Sequence, residues 1–175
     1  NPAVGSSNTE SQAMHWCSGS TIVMKNGTFA VATGADQAKM AMQSHRTAFT
    51  AENMKFDFTY VRASFYGENE FTGANKVYNG KECPLFCNNG GDMTLTNCVV
   101  TLPAASTCGI ATDEESGING KTILNGCTVN GGMSITNVGS SVTLNDTTIT
   151  GTVKSYFADF TVVENNGTYT IVAAK

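Results

Sequence analysis

Glu68 and Glu70 stand two residues apart, so on a strand they share one face, with Phe65, Tyr66 and Phe71 beside them. Two carboxylates placed across a sugar bond are the machinery of glycoside hydrolysis, and flat rings beside them make a platform for a sugar. Trp16 is a further ring able to lie against a glycan. Trp16, Tyr66, Glu68 and Glu70 are therefore the candidate glycan-contacting residues, with Tyr60, Tyr78 and Tyr156 as additional rings. The plainer reading is that the carboxylates are exposed charges beside a strand and the rings are packing. No catalytic role is assigned to the pair.

Other groupings are weaker. Asp113, Glu114 and Glu115 form an acidic run, and Arg62 lies near Asp57, the residue types of a calcium-dependent polysaccharide lyase. Three consecutive carboxylates cannot all face one ion from a strand, so this run reads as a solvated loop between repeats. His15 and His45 are the only histidines, and neither stands in a metal-ligand spacing. Cys83 and Cys87 are too far apart for a redox Cys-x-x-Cys motif, and no nucleophile elbow is present. The expectation is a chain with no catalytic residue, no metal and no cofactor. Cys17, Cys83, Cys87, Cys98, Cys108 and Cys127 are an even set that permits disulfides in an oxidising compartment. Several of them read equally well as small buried hydrophobes.

The elements that would hold such residues are short strands. The 175 residues suit one domain, and 41% of them are hydrophobic. Only 14% are charged, against roughly 25% in an average domain. Polarity comes instead from 24 Thr, 17 Asn and 18 Gly, residues of strands and tight turns. The net charge of −4 and the ten scattered Lys and Arg argue against a nucleic-acid partner. No apolar run is long enough to span a bilayer as a helix. The first residue is Asn, and a removed address segment is expected before it.

Residues 1–13 are small and polar and read as an N-terminal arm, followed by a single domain over 14–175. Within that domain a unit recurs: a strand, a corner, then a second strand. It appears as TLTNCVVT (94–101), ILNGCTVN (123–130) and TLNDTTIT (143–150), with distant copies at 50–57 and 20–29. Ala51, Leu95, Leu124 and Leu144 then occupy equivalent places, 44, 29 and 20 residues apart. With 44 taken as two turns, through residues 64–73, each turn is about 20–30 residues, a length found among solenoid repeats. One repeat cannot bury its apolar side, whereas a stack buries a shared one. Leu95 and Val100 should point inward on either side of a corner at Asn97, a residue that tolerates left-handed backbone. Cys98 and Cys127 fall at equivalent positions, to stack or to pair. Residues 34–46 read as a strand by the alternation of Ala38, Met40 and Met42, or as a short helix capped by Asp36. FTVVENNGTYTIV (160–172) is a hairpin around Asn-Gly, placed to cap the C-terminal end.

These segments carry a resemblance. From about residue 88 onward, TLTNCVVT, TILNGCTVNGG, SVTLNDTTITG and the closing VVENNGTYTIV resemble the right-handed parallel β-helix modules of bacterial cell-surface and secreted proteins; similar modules occur in phage tail and decoration proteins. The resemblance implies an all-β solenoid, an extracellular or cell-surface setting, and adhesion, display or polysaccharide contact in place of catalysis. The expected partners are copies of the chain or a larger surface assembly, and polysaccharide. The alternatives are a lyase-like or glycosidase-like carbohydrate-active or carbohydrate-binding module on the same scaffold, and a phage fibre or decoration protein.

Overall fold

Why this sequence becomes two stacked ladders is visible in where its apolar residues fall. The computed structural model describes residues 12–16, 19–30, 40–59, 72–73, 76–77, 85–104, 106 and 109–175, and among them every regular element is a strand. The first parallel ladder is built, in order, from Gln12–Trp16, Met40–His45, Phe86–Asn89, Ile110–Glu115, Met133–Ile135 and Val153–Ser155. The second is built from Thr21–Ala30, Ala48–Asp57, Gly91–Thr96 with Val99–Thr101, Ile118–Asn125 with Thr128–Asn130, and Ser141–Asn145 with Thr148–Ile149. The chain alternates between the ladders, leaving one rung on each per pass. Short turns suffice at some crossings: Ser116 and Gly117, both at positive φ, join Ile110–Glu115 to Ile118–Asn125.

The register follows the apolar repeat. Met24, Ala51, Leu95, Leu124 and Leu144 are successive partners on the second ladder. Past the corner, Phe29, Phe56, Val100, Val129 and Ile149 repeat the arrangement. On the first ladder Met42, Phe86, Ile110 and Met133 face the same interior. Slipping any strand by one residue would turn this set outward, so burial itself fixes the pairing.

Two expectations are corrected. The 44-residue interval is one pass and not two turns, because Ala51 pairs directly with Leu95. The extra length lies between Thr59 and Leu85, where only a small antiparallel pair, Thr72–Gly73 with Lys76–Val77, is described. The acidic run at 113–115 is strand and not loop: Glu114 pairs with Asn119 and Glu115 with Ile118. The strand reading of 34–46 holds from Met40 onward; residues 34–39 lie outside the described residues.

Aromatic residues fill the middle of the stack. Phe86 meets Phe49, Phe56 and Phe58 at ring-centroid distances of 5.9, 5.3 and 6.1 Å. At the C-terminal end Phe160–Asn165 and Thr168–Ala173 form the hairpin, turning through Asn166 and Gly167 at φ 49° and 76°. Its second strand pairs antiparallel with Ser141–Asn145 and sinks Ile171 into the core. No helix among the described residues is long and apolar enough to cross a membrane.

Candidate binding face

The outward positions of the second ladder stack as regularly as the inward ones. Thr50, Thr94, Ile123 and Thr143 form one column; Glu52, Thr96, Asn125 and Asn145 form the next. Past the corner come Lys55, Val99, Thr128 and Thr148, then Asp57, Thr101 and Asn130. Adjacent rungs stand about 4.8 Å apart, and alternate residues along a strand about 6.6 Å apart. The result is a grid made mostly of hydroxyl and amide groups, broken by Ile123 and Val99 and, on the Ala48–Asp57 rung, by Glu52, Lys55 and Asp57. From the Gly91–Thr96 rung onward these four columns carry no charge, but the next outward column beside Thr94 does: Asp92 and Lys121 are exposed partners there, and Asp146 stands at the corner.

Neighbouring amides tie the rungs together. Asn53 Nδ2 donates to Asn26 Oδ1 at 3.1 Å, and Asn145 Nδ2 donates to Asn125 Oδ1 at 2.8 Å. Asn130 Nδ2 reaches Thr101 Oγ1 at 3.5 Å. The corner positions Asn26, Asn53, Asn97, Gly126 and Asp146 all have positive φ, between 48° and 60°. Only Gly, Asn and Asp visit this region at low cost, which is why they occupy the column. Replacing Asn97 with Ala is expected to destabilise the chain by about 1–2 kcal/mol, whereas Asn97→Gly stays near neutral. Equal losses in the two variants, read by urea denaturation, would show that the corner does not set this requirement.

Directly inside the corner lie Met54, Cys98, Cys127 and Thr147, in consecutive rungs. Cys98 and Cys127 are thiols, 1% and 2% exposed. The Cys98 amide donates to Cys127 Sγ at 3.4 Å, and Cys127 Sγ–H donates to Leu95 O at 3.4 Å. Contact with Cys127 draws the Cys98 thiol down to about 7 against the effect of burial. The same contact, together with burial, pushes Cys127 up. A thiol that ionises readily is a nucleophile only where a substrate can reach it. Here the pair is sealed beneath the corner and acts as packing.

A second polar seam runs between the two ladders. Asn88 Nδ2 donates to Gly91 O and Lys121 O, both at 3.2 Å, and to Thr122 Oγ1 at 3.1 Å. Thr122 also meets Thr112, with the hydroxyl oxygens 2.7 Å apart. Asn88 Oδ1 is buried and accepts no hydrogen bond, at a cost of about 1–3 kcal/mol. Nearer the surface, Asn89 Nδ2 lies 3.0 Å from His45 Nε2 and donates to Glu115 Oε2 at 3.3 Å. Asp113 accepts from the Glu114 amide at 2.7 Å and from the Thr136 hydroxyl. The acidic run is thus consumed by hairpin and seam, and its carboxylates do not converge. Among the described residues no three His, Cys, Asp or Glu side chains are grouped to hold a metal ion.

Of the glycan-contacting candidates only the backbone of Trp16 falls among the described residues. Trp16 ends the Gln12–Trp16 strand and pairs with Ser44; its side chain lies outside what is described. Tyr66, Glu68 and Glu70 lie outside the described residues altogether, as do Cys17, Cys83 and Cys108. Cys87 is buried against Ala111 on the far side of the first ladder from the main core. Each member of the grid of neutral side chains is chemically ordinary alone. Its signal is the alternate Thr and Asn of the repeats themselves. No known protein family, curated protein or solved structure matches the chain.

Proposed function

We propose that the two ladders are walls of a right-handed parallel β-helix, and that the protein is a non-catalytic extracellular structural or adhesive module contacting polysaccharide through its neutral face. Two parallel ladders visited in alternation, one rung each per pass, support the winding. First-ladder partners run from Met14 to Met42, Phe86, Ile110, Met133 and Val153, and three of the five passes fall within 20–24 residues.

The observation that carries the functional reading is the set of uncharged columns between Thr94 and Thr148, flanked by Asp92 and Lys121 and interrupted at the corner by Asp146. A sugar polymer offers repeated hydroxyls, which hydroxyl and amide side chains can meet as donors and acceptors at a regular spacing. A flat strand face gives length in place of a pocket, which suits a chain-like ligand better than a small one.

The expected outcome is retention of the protein on insoluble mannan, chitin or cross-linked pectin, with no new reducing ends released, with or without calcium. Turnover that disappears in Glu68→Gln or Glu70→Gln would overturn the reading in favour of a carbohydrate-active enzyme.

A further inference from the structure

Among the described residues, the second ladder ends on a strand edge that pairs along one side only, at each of its two ends. Thr21–Ala30 bonds to Ala48–Asp57, and Phe160–Asn165 bonds to Thr168–Ala173. Core positions at both edges are incompletely covered. Ile22, Met24 and Phe29 are only partly buried, while their partners Phe49, Ala51 and Phe56 one rung inward are sealed. Val23, on the outer side, is 57% exposed. Phe160 and Val162 are likewise partly buried.

The directions of these edges agree. Thr168–Ala173 runs antiparallel to Ser141–Asn145, and Phe160–Asn165 runs antiparallel to Thr168–Ala173. Two reversals restore the original sense, so the free edge of the hairpin runs the same way as Thr21–Ala30. The hairpin covers the last rung yet leaves an edge on which the same ladder can continue.

We propose that a second copy of this chain adds its Thr21–Ala30 strand, in parallel, to Phe160–Asn165 of the first. The contact is head-to-tail and can repeat. This inference rests on the stacked-ladder reading of the fold, and not on the polysaccharide.

Hydrogen-bond parity supports the match. Ala48 N donates to Ser20 O at 3.2 Å, so Ser20, Ile22 and Met24 direct their backbone groups inward. Those of Thr21, Val23 and Lys25 then face the open edge. Ala174 N donates to Asp159 O at 2.8 Å, so Thr161 and Val163 bond within the hairpin. The backbone groups of Val162 and Glu164 and the carbonyl of Phe160 face the open edge; the Phe160 amide donates to Phe157 O at 3.4 Å. In a parallel ladder a residue bonds to the two neighbours of its opposite. With Val162 opposite Met24, its partners are Val23 and Lys25, and Phe160 falls opposite Ile22. The alignment that satisfies the backbone therefore also places apolar core residues side by side.

Charge is sparse on both edges. Lys25 is the only charged residue on one edge strand, and Glu164 the only one on the other. Each has an intrachain partner, Glu52 for Lys25 at 2.8 Å and the Gly167 amide for Glu164 at 2.7 Å. In this register Lys25 falls opposite Val163 on the outward side and Glu164 on the other side of the ladder, so charge neither favours nor opposes the match. Exposed edges are commonly blunted by shortness, proline or several charges. Thr21–Ala30 has ten residues, a single Lys and no Pro.

Sedimentation velocity on the full chain over a range of concentrations tests the proposal, with circular dichroism as the control for folding. The wild-type chain should associate into a series of dimer, trimer and longer species. Val23→Pro and Val162→Pro each remove one edge donor without touching an intrachain bond, and each should weaken association about a hundredfold. Mixed together, the two variants each retain one intact end, so they should form a heterodimer and stop there. A wild-type chain that is monomeric throughout, or folded variants that self-associate as the wild type does, would overturn the proposal. So would a mixture of folded variants that stays monomeric. Retention of the same variants on polysaccharide reports on the functional reading separately.

Discussion

Phe86→Ala should cost about 3–5 kcal/mol, the largest loss expected from any single core truncation among the described residues. Phe86 is fully buried and lies within 6.1 Å, centroid to centroid, of three other rings, Phe49, Phe56 and Phe58. Phe49 and Phe56 come from one rung of the second ladder and Phe58 from the segment following it, while Phe86 stands on the first ladder, so the cavity would open where the two walls meet. Close neighbours held in backbone ladders cannot collapse into it, which places the cost toward the upper end of the range. Val99→Ala, at an outward position 39% exposed, should stay within about 0.5 kcal/mol of the wild type. Urea denaturation of both variants checks the contrast, and similar losses at the two positions would show that the rings are not the centre of the core.

Gly91→Ala should be nearly as damaging, for a backbone reason. Gly91 has φ +94°, and an added Cβ would stand 2.5 Å from Thr47 O and 3.0 Å from Thr47 N. Both obstacles are main chain from the preceding rung, so neither can rotate away. Strain and overlap together are expected to cost about 3–4 kcal/mol. Gly117 provides the control: its φ is +82°, and an added Cβ would meet nothing within 4 Å. Gly117→Ala should lose only the conformational part, about 1 kcal/mol. For a chain of this size the pair should differ in Tm by several degrees, on a scale of about 2–4 °C per kcal/mol. Equal melting temperatures would contradict the close approach of adjacent rungs at Gly91.

The second ladder was the part most open to reading from the chain. Its outward face is wet, so apolar and polar residues alternate visibly, and Ala51, Leu95, Leu124 and Leu144 could be set in register before any coordinates. The corner at Asn97 and the hairpin around Asn166-Gly167 were equally plain, because positive φ restricts the residue type. The first ladder was obscure for the opposite reason. Gln43, Cys87, Ala111 and Ser134 are buried although they point away from the main core. Both sides of that wall are covered, and alternation disappears: every residue of Phe86–Asn89 and of Met133–Ile135 is buried. Asn88, facing inward among hydroxyls, has no sequence signature that separates it from a turn residue. The interval of 44 residues was misread because spacing alone cannot distinguish a skipped rung from a long excursion between adjacent ones.

The candidate site divides along the same line. Carboxylates and rings stand out singly because their chemistry is strong, and Tyr66, Glu68 and Glu70 lie outside the described residues. The neutral grid draws its significance from repetition, a property of the stack and not of any residue.

The most direct test of the account is retention on insoluble polysaccharide by a variant in which that grid is interrupted. Thr96→Lys with Asn125→Lys places two cations side by side on consecutive rungs at outward positions, leaving the core untouched. On mannan, chitin or cross-linked pectin, the wild-type chain should be retained, and the folded double variant should pass through. Retention of the variant equal to that of the wild type, or a wild-type chain that binds none of these polymers, would contradict the assignment of this face as the functional surface.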